Sequence, residues 1–151
     1  MSRITCINPN EVREYPIEVG DSKAIIEIGS IPKDVYSKII ALSGDDRSDG
    51  DAFEASWLAA KYGVRGHRDL IFGDKTEVPF KTEEDEKQRK VVSDETLMTY
   101  QYTGFLSEVS AEALTPGSGD IVKLKKAARI SLSTAKALSV ADGGEKSEKE
   151  G

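Results

Sequence analysis

The chain has 151 residues, enough for one domain of ordinary size, and 38% of them are hydrophobic before its 13 glycines are counted. That composition supports a packed core and excludes wholesale disorder. A formal charge of −6 and an isoelectric point near 4.9 argue against general affinity for nucleic acid or anionic membranes.

Cys6 is the only cysteine, so an intrachain disulfide and a thiolate-rich metal site both lack ligands. A free thiol suits a reducing compartment. Met1 to Asn10 offers no apolar signal core, and no apolar run approaches the roughly 20 residues that span a bilayer. The expectation is a soluble, unexported protein with no membrane partner.

Residues 13–28 read as a β-hairpin. Tyr15, Ile17 and Val19 alternate with Glu14, Pro16 and Glu18; Gly20-Asp21-Ser22 turns the chain; Ala24, Ile26 and Ile28 continue the apolar face. Pro16 cannot donate to a ladder, which places its strand at a sheet edge. Ser30 and Pro32 open a helix whose apolar stripe is Val35, Ile39 and Leu42, with Tyr36 and Ile40 beside it. After a polar, acidic loop over 44–51, a second helix carries Phe53, Trp57 and Ala60 at i, i+4 and i+7. Asp51 and Glu54 suit its positive end, Lys61 its negative end, and Gly63 is the expected C′ residue.

Leu70-Ile71-Phe72 and Thr76-Glu77-Val78-Pro79-Phe80, joined by Gly73-Asp74-Lys75, predict a short second hairpin. Thr82 to Lys90 is almost entirely charged and predicts a mobile loop. Ser93 is the expected N-cap of a helix that begins with Asp94 and Glu95. Met98, Tyr102, Phe105, Val109 and Ala113 share one helical face, and Gly104 splits that pattern into two helices. The whole predicts an α+β fold: a compact domain over 1–115, a Gly/Pro hinge at 116–119, a basic amphipathic helix over 120–140 capped by Asp120, and a disordered tail over 141–151.

Little in the chain points to catalysis. If Gly50 is set at the invariant sixth position of a calcium-binding loop, Arg47 falls on the third and Ser56 on the twelfth, where carboxylates are needed. His67, the sole histidine, is flanked by Arg65 and Arg68, and nothing local supports a dyad; it reads as a loop histidine, hydrogen-bonded or solvated. Gly117-Ser118-Gly119 lacks the following glycine of a dinucleotide loop and comes after a helix instead of a strand. Paired carboxylates arise by chance among 27 Asp and Glu, and Trp57 and the other helix aromatics are assigned to the core. No catalytic residue, cofactor or metal ligand is expected.

The last helix carries the strongest functional signal. Ile121, Leu124, Ala128, Ala135 and Leu138 approximate a seven-residue repeat that Ser131 interrupts. Lys123, Lys125, Lys126, Arg129 and Lys136 against Asp120 give residues 120–140 a charge of +4, which leaves −10 on the rest of the chain. Such a helix can dock on its own domain, on a neighbouring subunit in a homo-oligomer, or on a partner. The expected partner-binding residues are Leu124, Ala128, Leu138, Lys125 and Arg129. A nucleic-acid role is disfavoured because few aromatics accompany the lysines.

Several short motifs point to a family: Tyr62-Gly63-Val64-Arg65-Gly66-His67, then Glu77-Val78-Pro79-Phe80, then Val92-Ser93-Asp94-Glu95-Thr96-Leu97 with Gly104-Phe105-Leu106-Ser107-Glu108. Over roughly residues 55–114 the chain resembles the tail assembly chaperones of long-tailed bacteriophages. It departs from that pattern at His67, where an aromatic is usual, and in the length of its basic helix. The resemblance implies a non-enzymatic protein of the host cytoplasm that coats a tape-measure protein and recruits tail-tube subunits. Two rival classes are a structural tail or neck component of the virion and a small regulatory protein that binds nucleic acid through its basic helix.

Overall fold

The N-terminal alternation folds as its pattern predicts. In a computed structural model, which describes residues 2–128, β1 (Arg13–Val19) and β2 (Ser22–Ile28) pair antiparallel, with Tyr15 opposite Ile26 and Ile17 opposite Ala24. Gly20 takes the left-handed conformation that the tight turn requires (φ 60°). Tyr15, Ile17, Ala24, Ile26 and Ile28 are buried on one face. Val19 is 71% exposed at the end of the strand, outside the core it was expected to join. β1 lies at the sheet edge, as Pro16 demands.

α1 (Lys33–Ala41) follows Pro32, which stands at its N-cap, and buries Val35 and Ile39. α2 (Asp49–Gly63) starts with a capping box: Ser48 Oγ accepts from the Asp51 amide, and the Asp51 carboxylate accepts from the Ser48 amide. The buried residues of α2 include Ala55, Ala59, Ala60 and Gly63, while Phe53 is 44% exposed and Trp57 half-buried. Small side chains win the inner face because α4 (Leu106–Leu114) crosses there; a Cβ on Gly63 would stand 2.8 Å from that of Ala113. Gly63 is therefore a packing glycine. It ends no left-handed turn, because Val64 leads straight into an extended strand.

That strand, β3 (Val64–Arg68), is one the sequence pattern did not predict. It adds antiparallel to β2 as the third strand of the sheet, order β1-β2-β3, with a bulge between Glu27 and Ile28. Its polar sequence hides it, since only Val64 and Gly66 are buried. Residues 70–80, expected as a hairpin, do fold back at Gly73-Asp74-Lys75, with an antiparallel bridge between Ile71 and Glu77. The Phe72 amide donates to the Thr76 carbonyl (2.8 Å) and the Val78 amide to the Leu70 carbonyl (2.9 Å), but the ladder is too short to form strands. A fuller two-stranded ladder is made by β4 (Thr82–Glu84) and β5 (Lys90–Val92), inside the charged stretch expected to be a mobile loop.

Side-chain bonds order that stretch. The Asp85 carboxylate accepts from the Lys87 amide (3.0 Å), the Arg89 amide (2.8 Å), Arg89 Nε (2.8 Å) and the Tyr62 hydroxyl (2.8 Å). Arg89 also donates through both terminal nitrogens to Asp34 of α1, at 2.8 and 3.0 Å, and Lys87 joins it at 3.0 Å. Opposite charges at the right register thus fold a segment whose composition alone suggests disorder.

α3 (Asp94–Thr103) is capped by Ser93 and stopped by Gly104 in the left-handed conformation (φ 96°), as expected. Its buried residues are Thr96, Leu97 and Tyr100; Tyr102, assigned to the core by periodicity, is 82% exposed. The break at Gly104 resets the helical phase, so a stripe counted across it is correct only beyond it, where Phe105 and Val109 are buried. A fifth helix, α5, begins at residue 118 and is described to 128. The sheet packs against α3 and α4 through Ile26, Ile28, Leu97, Tyr100, Leu106 and Val109. α1 and α2 share a second cluster around Val35, Ile39, Ala59 and Tyr62. Each large aliphatic side chain so buried contributes about 1.5–3 kcal/mol.

Candidate partner-binding surface

The turn before α5 is more closely held than a free hinge. Gly117 has φ 93°, and its amide donates to the Glu112 carboxylate at 2.8 Å; the Ser118 amide donates to the Thr115 carbonyl at 3.0 Å. The helix starts three residues earlier than an Asp120 cap would place it, which narrows the expected hinge to Pro116 and Gly117. Gly119 is buried against the body. A Cβ there would lie 2.8 Å from the Tyr15 hydroxyl, 2.9 Å from the Glu108 carbonyl oxygen and 2.9 Å from Glu112 Cβ. Only glycine permits that approach.

Below this contact sits a buried polar cluster. The Tyr15 hydroxyl donates to Glu108 at 2.9 Å, and burial, then the neighbouring Glu108, pushes its pKa above the ordinary tyrosine range. Burial likewise raises the Glu108 carboxyl, against the bond from Tyr15 and the charges of Lys123 and Lys126. Arg13 donates to the Glu112 carbonyl at 2.7 Å. On the inner face of α5, Lys123 pairs with Glu18 at 3.3 Å, and Lys126 donates to the Gly104 carbonyl. Residues 119, 123 and 126 thus anchor one face of the helix.

The opposite face carries the predicted partner-binding residues. Ile121 is 54% and Leu124 69% exposed, and Lys125 and Ala128 are exposed beside them. The fold therefore brings Leu124, Lys125 and Ala128 together on one outward stripe; Arg129 and Leu138 lie outside the described residues. Sequence reasoning missed a second apolar surface next to this helix, built from Ile71, Phe72, Tyr102 and Val19. Its one legible signal is the crowding of Tyr100 and Tyr102, which point to different sides of a helix that ends at Gly104.

The sole histidine has structural partners. His67 lies in β3, not in a loop, and is half-buried; its Nε2 is 2.7 Å from the Val78 carbonyl and its Nδ1 2.6 Å from the Tyr100 hydroxyl. A carbonyl only accepts, so Nε2 donates, and in the neutral ring Nδ1 accepts from Tyr100. Burial raises the Tyr100 pKa, which keeps the hydroxyl a donor. Phe80 meets the imidazole edge-on at 5.3 Å. Asp51 serves as a cap, and Cys6 is exposed. Among the described residues no three His, Cys, Asp or Glu side chains gather as metal ligands, and no helix is long and apolar enough to cross a membrane.

Comparison with protein-family models, with curated proteins and with solved structures finds no match to this chain.

Proposed function

We propose that this chain is a non-enzymatic morphogenesis protein of a long-tailed bacteriophage, an assembly chaperone that acts in the host cytoplasm. Its α5 helix captures a tape-measure protein and tail-tube subunits. One observation carries the reading: α5 is fixed to an acidic body by Gly119, Lys123 and Lys126, while Ile121, Leu124 and Ala128 stay uncovered beside Lys125. A helix held by one face presents the other as a preorganised apolar stripe with a basic flank, suited to an amphipathic partner. The motifs over 55–114 support the tail-assembly setting, and the tight structural use of His67 supports a role without catalysis.

Co-expression with the tape-measure and tail-tube proteins from the same genome tests this. Both are expected to co-purify with the chain, and Leu124→Asp should weaken capture by tenfold or more while the body stays folded. Stoichiometric retention of the chain in finished particles would instead favour a structural tail or neck component. Salt-sensitive DNA binding without protein capture would favour a regulatory role.

A further inference from the structure

Two apolar surfaces of the described chain lie uncovered side by side. One is the outer stripe of α5. The other is a groove of 310 Å³ between residues 70–72 and the end of α3, floored by Phe105 and Val78. Ile71, Phe72 and Tyr102 on its walls are 57%, 43% and 82% exposed. Its apolar lining continues past Thr103 and Phe105 to Val19, where Lys126 and Ala127 of α5 form the border. The groove therefore ends where the helix with the outward stripe begins.

We infer that the two surfaces pair between copies of this chain: the α5 stripe of one copy fills the groove of a second, and the second returns the contact. Three observations select this occupant. The stripe cannot turn into its own groove, because Gly119, Lys123 and Lys126 fix the inner face of α5 on the body and aim Ile121 and Leu124 away. The charges are complementary: Asp69, Asp74 and Glu77 against Lys75 leave the groove segment acidic, and no described acidic side chain pairs with the exposed Lys125. Finally, the groove lining reaches Lys126 and Ala127 of α5, so stripe and groove adjoin, and an isologous contact about a two-fold axis would satisfy both at once and close the assembly at two copies.

The contact is small, with few large anchors, so the pairing is reversible and depends on concentration. It uses the helix assigned above to partner capture but does not depend on who that partner is, since the test needs only the purified full-length chain. Sedimentation velocity over roughly 1–300 μM, the range suited to an interface at the low end of specific contacts, should show wild type passing from monomer to dimer. Leu124→Asp removes the stripe and Tyr102→Asp the groove; both positions are exposed, and matching thermal melts establish that the variants fold. Each variant alone should stay monomeric. An equimolar mixture should recover a hetero-pair, because one intact stripe still faces one intact groove, with at least tenfold weaker affinity than wild type. Leu124→Ala should weaken association less than Leu124→Asp. Wild type that stays monomeric throughout, variants that associate like wild type, or a mixture no better than its components would each overturn the pairing.

Discussion

Replacing Gly119 by alanine tests whether α5 is seated on the body or merely tethered to it. The new Cβ would press on the Tyr15 hydroxyl, the Glu108 carbonyl oxygen and Glu112 Cβ, all within 2.9 Å. Two of these belong to the body of α4, beside the fully buried Val109, so α4 resists movement and α5 yields more easily. Overpacking of this kind costs about 1–3 kcal/mol. The helix propensity gained by alanine acts on seated and lifted helix alike and cancels. The seating equilibrium should then fall by roughly 5- to 150-fold, at about 1.4 kcal/mol for each tenfold. Amide exchange across 118–128 and tryptic cleavage after Lys123 and Lys126 should accelerate by that factor, with little change in the melting of the body. Gly44→Ala is the control, since nothing lies within 4 Å of its added Cβ. Unchanged exchange in α5 would refute the seating argument. A global melting loss equal to the local one would make α5 part of the core.

His67→Phe keeps the ring but strands two buried partners, the Val78 carbonyl and the Tyr100 hydroxyl. At about 1–3 kcal/mol for each unsatisfied group, unfolding free energy should drop by about 2–6 kcal/mol in denaturant titration. Partner capture should persist wherever the variant is folded; loss of capture at unchanged stability would reopen a catalytic or binding role for His67. The charged ribbon should be acid-labile. Bonds from Arg89 and Lys87 hold the Asp34 carboxyl below its ordinary value of 3.8. Burial raises that of Asp85, but the bonds from Arg89, Tyr62 and Lys87 overcome it and leave a net lowering. A depressed folded pKa means that this stabilisation is complete above the unfolded value and is lost as pH falls through the folded one. Protection factors across 82–92, with the intrinsic pH dependence of exchange divided out, should therefore be flat above about pH 5 and fall below pH 4, with Asp34→Asn weakening the ribbon at neutral pH; a ribbon indifferent to both would show that β-pairing alone orders it.

What the sequence determined by itself was local. Period-2 alternation placed β1 and β2, Ser93 and Gly104 placed both ends of α3, and Pro16 placed the sheet edge. These signals act within a few residues, through dihedral preference and capping, so no tertiary partner is needed to read them. β3 was illegible because its neighbour β2 lies some forty positions earlier and because Arg65 and His67 satisfy their polar groups through contacts set by the fold. The ribbon at 82–92 looked disordered because its order comes from Asp34 and Tyr62, two remote residues that meet Asp85 and Arg89 only in the folded chain. The candidate surface divides the same way. The stripe of Leu124, Lys125 and Ala128 follows from helical period alone. Which side of α5 faces out was decided by Gly119 meeting Tyr15 and Glu108, and the adjoining groove exists only because the end of α3 comes to rest against residues 70–72.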